Sequence, residues 1–291
     1  MAKKSKKDDD RNDENDGKNG DRVAIPDYRI YPDKPIKLAE LNADDKGGLD
    51  KSKAMEKALE TERERIVELQ ERLYAEGKQS LLIVFQAMDT GGKDGTIRSV
   101  FQGTNPQGVQ VVSFKAPSSE ELAHDFLWRI HAHTPARGMV TVFNRSHYED
   151  VLIVRVKNFV EEKVWRKRYD MINNFEHMLA LNGTRILKFY LHISKEEQKT
   201  RFQERLDDPA KHWKFSLGDL KEREFWDQYQ AAYEDAINHC STDYAPWYAV
   251  PANRNWYRNL IVARTIADTL EDMNPQYPEQ TEDLTGVVIP D

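Results

Sequence analysis

The stretch "LLIVFQAMDTGGKDGTIRSVF", Leu81 to Phe101, limits the fold more than any other part of the chain. Residues 81–87 are a near-continuous apolar run rather than an alternating one. A strand of that kind is buried on both faces, as in a parallel sheet covered by helices. The run breaks into glycines, and a helical pattern resumes at Lys93. Nucleotide-phosphate loops share this strand–loop–helix context, with the pattern G-x-x-x-x-G-K-[ST]. The aligned positions here are Ala87, Gly92, Lys93 and Asp94. Gly91, Gly92 and Gly95 let backbone N–H groups face an anion. The following helix, with Thr96 in its first turns, adds its positive end. Lys93 supplies a point charge. Two departures are plain: Ala87 replaces the first glycine, and Asp94 replaces the hydroxyl that normally touches Mg²⁺. The plain alternative is a glycine turn with a solvated lysine. Context and residue types together favour the phosphate reading.

Asp89 needs its own argument. A carboxylate beside phosphates is unfavourable unless a cation lies between them. Asp89 is therefore expected to be a Mg²⁺ ligand or a base toward an incoming acceptor, with turn capping as the bland alternative.

Strand and helix signals alternate through the rest of the chain. Helical patterns cover 53–77, 93–102, 118–131, a stretch ending at Leu181, 194–206, 220–238 and 255–273. Strands are expected at 81–87, 109–114, 139–144, 185–193 and 247–251. Ser118 with Glu121, and Ser194 with Glu197, stand at capping-box spacing. The pattern predicts an α/β fold with a five-stranded, mainly parallel sheet covered on both faces. In such sheets ligands bind beyond the carboxyl ends of the strands, and each candidate stretch follows a strand end.

Composition narrows the function. The 291 residues carry 43 basic and 50 acidic side chains, a formal charge of −7. Residues 1–22 hold seven bases and seven acids, and 271–291 hold six acids and no base. The middle is thus almost neutral, which argues against a nucleic-acid binder. A local basic cluster still suits a small polyanion. Cys240 is the one cysteine, which excludes an internal disulfide framework and suggests a reducing, cytoplasmic setting. No apolar run of membrane-spanning length occurs, and no apolar stretch follows the basic N-terminus as a secretory signal requires. Residues 1–22 are expected to be a disordered charged tail. Residues 23–274 read as one catalytic domain. Residues 275–291 read as an extended acidic arm whose "VVIP" is free to dock on a neighbour.

Two further stretches carry charge where a phosphate site needs it. "VFNRSHYEDVLIVRV", 142–156, leaves a strand where many phosphate-transfer proteins place a metal-binding aspartate. Asn144 stands there instead, able to offer an oxygen or orient a water. Arg145 after it suits bidentate phosphate contact. Glu149 and Asp150 are either functional or acids favoured by a helix dipole. "RFQERLDDPAKHWKFSLGDL", 201–220, brings Arg201 and Arg205 onto one helix face. Lys211, His212 and Lys214 follow the break at Pro209. This suits a basic lid closing on phosphates; a surface helix laced with Glu204 and Asp207 is the alternative. Lys115, between a strand and a helix start, is a further candidate contact. "HAH" at 131–133 lacks the partners a metal site needs.

Taken together, "MDTGGKDG", "FKAPSSEELAHDFLWRIH", "FNRSHYEDVLIVRV", "RILKFYLHISKEEQ" and "DDPAKHWKFSLGDL" resemble the family-2 polyphosphate kinases, over about Tyr28 to Pro275. The resemblance implies a three-layer α/β/α P-loop kinase fold with a helical lid. It implies reversible, Mg²⁺-dependent phosphoryl transfer between inorganic polyphosphate and adenine or guanine nucleotides. It puts Asp89, Lys93 and Arg145 on catalytic positions, and Arg205, Lys211 and Lys214 on lid positions. The commoner family pattern has aspartate at Asn144 and asparagine at Glu149. The "NRSHYED" variant looks like the subgroup accepting AMP as well as ADP. Dimers or tetramers are expected. A linear polyanion needs a narrow basic track, which Lys93, Lys115, Arg201, Arg205, Lys211 and Lys214 are placed to line. Two other readings stay open at this point. One is an ATP-dependent nucleoside-monophosphate kinase. The other is a nucleotide-binding switch, although the chain has no Asn-Lys-x-Asp guanine-reading motif.

Overall fold

The computed structural model describes residues 22–290. The charged tail expected at 1–22 lies outside the described residues except for Arg22, which pairs with Glu62 and Asp268.

The sheet is built around β2 (Ser80–Gln86), buried along its whole length. Leu81 to Phe85 are fully buried, and at about 1.5–3 kcal/mol for each large apolar side chain they contribute on the order of 10 kcal/mol before chain entropy is counted. β2 runs parallel to β4 (Val140–Asn144) on one side and to β5 (Thr184–His192) on the other. β3 (Val109–Ser113) lies beyond β4, and β6 (Trp247–Pro251) beyond β5, both parallel. All five expected strands are present. A sixth, β1 (Arg29–Ile30), pairs antiparallel with Trp247 and Tyr248 of β6, so among the described residues the sheet has six strands and not five. Two residues are too short to show periodicity, and only the pairing reveals them.

The helices are α1 (Lys53–Glu76), α2 (Lys93–Val100), α3 (Ser119–Leu122), α4 (Trp128–His131), α5 (Ile153–Val156), α6 (Glu162–Leu181), α7 (Lys195–Asp207), α8 (Leu217–Glu222), α9 (Trp226–Cys240) and α10 (Asn255–Met273). α1 and α2 pack on α10 at one side of the sheet, and α5 and α6 on α9, giving a three-layer α/β/α arrangement. Ser52 caps α1, Gly77 ends it in the left-handed region at φ 63°, and its buried stripe is Glu62, Ile66, Gln70 and Leu73. Glu62 is held by Arg22, Arg65 and Arg264, which ties the start of the described chain to α1 and α10. A buried carboxylate needs such partners.

Two expected helices are broken. Over 118–131 the capping box at Ser118 and Glu121 forms, but α3 stops after one turn. Asp125 then caps a new turn through Leu127 N (3.0 Å), and α4 follows. Over 220–238 the chain forms α8, a 3₁₀ turn at Arg223–Phe225, and then α9. Residues 275–290 contain neither helix nor strand. No helix among the described residues is long and apolar enough to cross a membrane.

From β2 the chain runs out to the β3 edge, returns to β4 beside β2, and then crosses to β5 and β6. The strand order therefore reverses around β2, which opens a crevice beyond its carboxyl end.

Candidate active site

The phosphate loop leaves β2 at that point. Gly91 N bonds Met88 O (3.0 Å), closing a tight turn. Gly92 begins α2 at φ 96°, a region that excludes ordinary side chains. Thr96 is buried, and both its backbone N–H and its hydroxyl bond Gly92 O, at 2.9 and 3.1 Å. Its hydroxyl thus braces the loop rather than facing a ligand. Lys93 Nζ folds back onto Ala87 O (2.9 Å). Burial and then the nearby Arg145 lower its pKa to about 8.

The exit of β4 lies beside this loop because β2 and β4 are neighbours. Asn144 Nδ2 donates to Asp94 Oδ1 (2.6 Å), and Arg145 Nη2 donates to Asp89 Oδ1 (2.9 Å). Both acids that look misplaced in the sequence thus meet partners from the second motif. Thr90 and Arg145 adopt φ of 61° and 64°. Non-glycine residues pay for this conformation, and it concentrates where a site demands a particular side-chain aim. Burial works against the Arg145 charge, but Glu149 and Asp89 override it and raise its pKa.

Around the loop lies a cavity of about 450 Å³. Five cations line it, Lys93, Lys115, Arg145, Arg205 and Lys214, against three carboxylates, Asp89, Asp94 and Asp219. A smaller pocket of about 120 Å³ shares Asp89, Arg145 and Asp219 with it and adds Glu149 and Tyr233. Glu149 stands in a 3₁₀ turn, His147–Asp150, rather than capping a helix. Gln86, with its amide oriented to satisfy both ends, donates to Glu149 Oε1 (3.1 Å). Burial raises the Glu149 pKa, an effect tempered by Arg145 and Lys93. Asp219 is raised by burial and then by Asp89.

Two cations of the expected track stand elsewhere. Arg201 shares its helix face with Arg205, but α7 presses that first part of the face against the strand exits. Its guanidinium bonds Thr90 O (3.1 Å), Ala252 O (2.6 Å) and Asn253 O (3.1 Å), and Glu197 (2.8 Å). It braces the loop and does not line the cavity. Lys211 is exposed and pairs with Asp208 at 3.1 Å. Spacing along one helix cannot tell which turn faces a ligand and which faces the fold.

Several residues that lie inside the quoted stretches but are not among the site candidates hold the site together. Gln198, buried in α7, donates to Asp89 O (3.0 Å) and accepts from Arg223 (2.8 Å). Arg129 donates to Lys115 O (2.9 Å) and fixes that turn. Below the second motif, buried Lys188 reaches Glu176, Tyr148 OH (2.9 Å) and Cys240 O (2.6 Å). His147 Nε2 lies 3.1 Å from Glu176 Oε1.

Comparison with known proteins decides what this geometry belongs to. The polyphosphate kinase 2 family model matches residues 49–278. The chain belongs to the polyphosphate kinase 2 family. It is 54% identical over 263 residues to an AMP/ADP-polyphosphate phosphotransferase of Meiothermus ruber, covering 90% of this chain and 98% of that protein. It is 51% identical to an ADP-polyphosphate phosphotransferase of Rhodopseudomonas palustris, covering 77% and 81%. The crystal structure of a polyphosphate kinase 2 from Arthrobacter aurescens superposes with a TM-score of 0.84 at 44% identity, covering 90% of this chain and 97% of that one. As a member of this family, the chain is a kinase-type enzyme.

Proposed function

We propose that this polyphosphate kinase 2 transfers phosphoryl groups reversibly between inorganic polyphosphate and adenine nucleotides, AMP to ADP and ADP to ATP, with guanine nucleotides as further acceptors. In the forward direction the terminal P–O bond of the polyphosphate breaks and a new P–O bond forms to the acceptor's last phosphate. The donor leaves one unit shorter. The observation that carries this is the convergence of Lys93, Arg145 and the lid residues Arg205 and Lys214 on one cavity.

Little covalent chemistry is asked of the protein, since such transfer depends on positioning and on stabilising charge. Lys93 and the backbone N–H groups of Gly92 to Gly95 hold the transferring phosphoryl. Arg145 bridges phosphates, and Lys115, Arg205 and Lys214 follow the rest of the polyanion. Residues 201–220 act as the lid, which removes water and completes this enclosure. Gln198, Arg201 and Thr96 keep the loop in place.

The cavity also fits Mg²⁺. Among the described residues no cluster of three metal-ligating side chains exists. Mg²⁺ commonly takes only one or two carboxylates beside substrate phosphates, and Asp89 is the carboxylate at the loop that would hold it. Bound there, the ion neutralises phosphate charge. Asp94 is engaged by Asn144, so its role is to join the two motifs.

A dimeric or tetrameric assembly and a cytoplasmic setting belong to the same proposal. The deciding experiment supplies AMP or ADP, Mg²⁺ and polyphosphate without ATP. Formation of ADP or ATP supports the proposal. No product under these conditions, with AMP phosphorylated once ATP is added, would instead identify an ATP-dependent nucleoside-monophosphate kinase.

A further inference from the structure

Arg258, in the first turn of α10, is 2% exposed and lies directly behind the phosphate loop. A Cβ at Gly92 would run into its guanidinium, and one at Gly95 would lie 3.8 Å from Nη2. Glycine at 92 therefore serves two ends: the left-handed turn and the close approach of this arginine.

The guanidinium is hydrogen-bonded to neutral groups. Nη1 donates to Asn255 Oδ1 (2.8 Å), and Nε and Nη2 donate to Asn259 Oδ1 (3.2 and 3.0 Å). Its charged neighbour is a like one, Arg201, whose Nη2 approaches the same Asn255 oxygen at 3.4 Å. Burial and then Arg201 pull the Arg258 pKa down to about 9, which still leaves it charged at neutral pH. Among the described residues the other buried charges are paired, Glu62 with three arginines and Glu176 with Lys188. A buried charge without a counter-ion is costly, so Arg258 requires another explanation.

We propose that Arg258 is a positioning residue whose counter-ion is the phosphate chain held on the far side of the Gly92–Gly95 turn. Its charge stays uncompensated until a polyanion binds. The inference rests on the reading that the glycine loop takes the phosphates. Arg258 acts through the loop backbone and does not touch the substrate. Its field acts on phosphate both before and during transfer, so it contributes to binding more than to the chemical step.

The test compares wild type, R258M, R258K and K93A. Calorimetry reads binding of inorganic tripolyphosphate, kinetics read polyphosphate turnover, and thermal melting reads the unliganded proteins. R258M is expected to bind tripolyphosphate about tenfold more weakly, equivalent to about 1.4 kcal/mol. Its KM should rise by a similar factor while kcat changes by less than about threefold. R258K, which keeps the charge, should stay within about threefold of wild type. Unliganded R258M should melt no lower than wild type, since it loses an uncompensated charge. R258M binding as tightly as wild type would overturn the inference, as would equal weakening in R258M and R258K. So would an R258M protein that melts lower or fails to fold, because the arginine would then be an ordinary structural residue. K93A separates the two readings. If K93A binds tripolyphosphate like wild type, the loop reading itself fails. If K93A is weakened and R258M is not, only the Arg258 inference fails.

Discussion

Lys93 shows how a single residue joins stability to activity. Its ammonium group faces a transferring phosphoryl in the proposed mechanism, and removing one such stabilising group commonly costs about 10²–10³ in rate. Lys93→Ala is therefore expected to lose about that factor in kcat while keeping its far-UV circular dichroism. Wild-type turnover in this variant would remove the proposed role. The same residue makes a pH signature. Its pKa is about 8 in the folded chain against 10.5 ordinarily. Below about pH 8 the lysine is charged in folded and unfolded chains alike, and folding bears the cost of burying that charge. Between the two values the unfolded chain holds more protons, so this residue makes stability rise with pH. The urea midpoint of wild type, followed from about pH 8 to 10, should carry this rising contribution, and that of Lys93→Met should lack it. Equal slopes would show that the fold does not perturb the lysine. The lysine and its loop were legible because an unusual residue pattern followed a buried strand. The partners of Asp89 and Asp94 were not, because Arg145 and Asn144 stand more than 45 positions away in sequence.

Between residue and molecule, the elements carry the precision of the site. The turn bearing Asn144 and Arg145 rests on a clamp built from three elements: Lys188 on β5, Glu176 on α6 and the Cys240 carbonyl at the end of α9. His147 and Tyr148, next in the turn, both reach Glu176 Oε1, at 3.1 and 3.0 Å. Burial disfavours the Glu176 carboxylate, but Lys188 and His147 overcome this and hold its pKa below the usual range. Glu176→Gln leaves Lys188 buried without its counter-charge. Breaking a buried pair in this way costs about 3–5 kcal/mol, and thermal melting should register a fall of roughly 10 °C. The double variant Glu176→Leu with Lys188→Met removes both charges and should melt higher than Glu176→Gln. The reverse order would mean that the pair is held for its hydrogen bonds rather than its charge. Strand periods and capping boxes announced β2, β4, β5 and α7 from the sequence. They did not announce that α7 turns Arg201 and Gln198 toward the loop and leaves Arg205 to the cavity, since that division depends on how the helix docks.

Across the whole molecule the sheet delivers the loop, the second motif and Arg205, Lys214 and Asp219 of residues 201–220 to one crevice. If residues 201–220 close over a bound polyanion, trypsin should lose access to the chain after Lys211 and Lys214. Limited proteolysis with and without polyphosphate and Mg²⁺ reads this directly, and unchanged cleavage there would count against closure. The sequence determined the layer order of this protein and its principal chemistry. A strand buried on both faces must lie in a helix-covered sheet, and glycines with a lysine at a helix start make an anion cradle. What depends on local order along the chain was therefore legible: five strands, the loop and the second motif. The tertiary structure alone decided the sixth strand, the breaks in two helices and the pairing of the two loop acids. It also decided the placement of Arg258 behind Gly92. The sixth strand, the partners of the loop acids and the Arg258 contact arise where residues far apart in sequence meet. No periodicity within a single segment records that meeting.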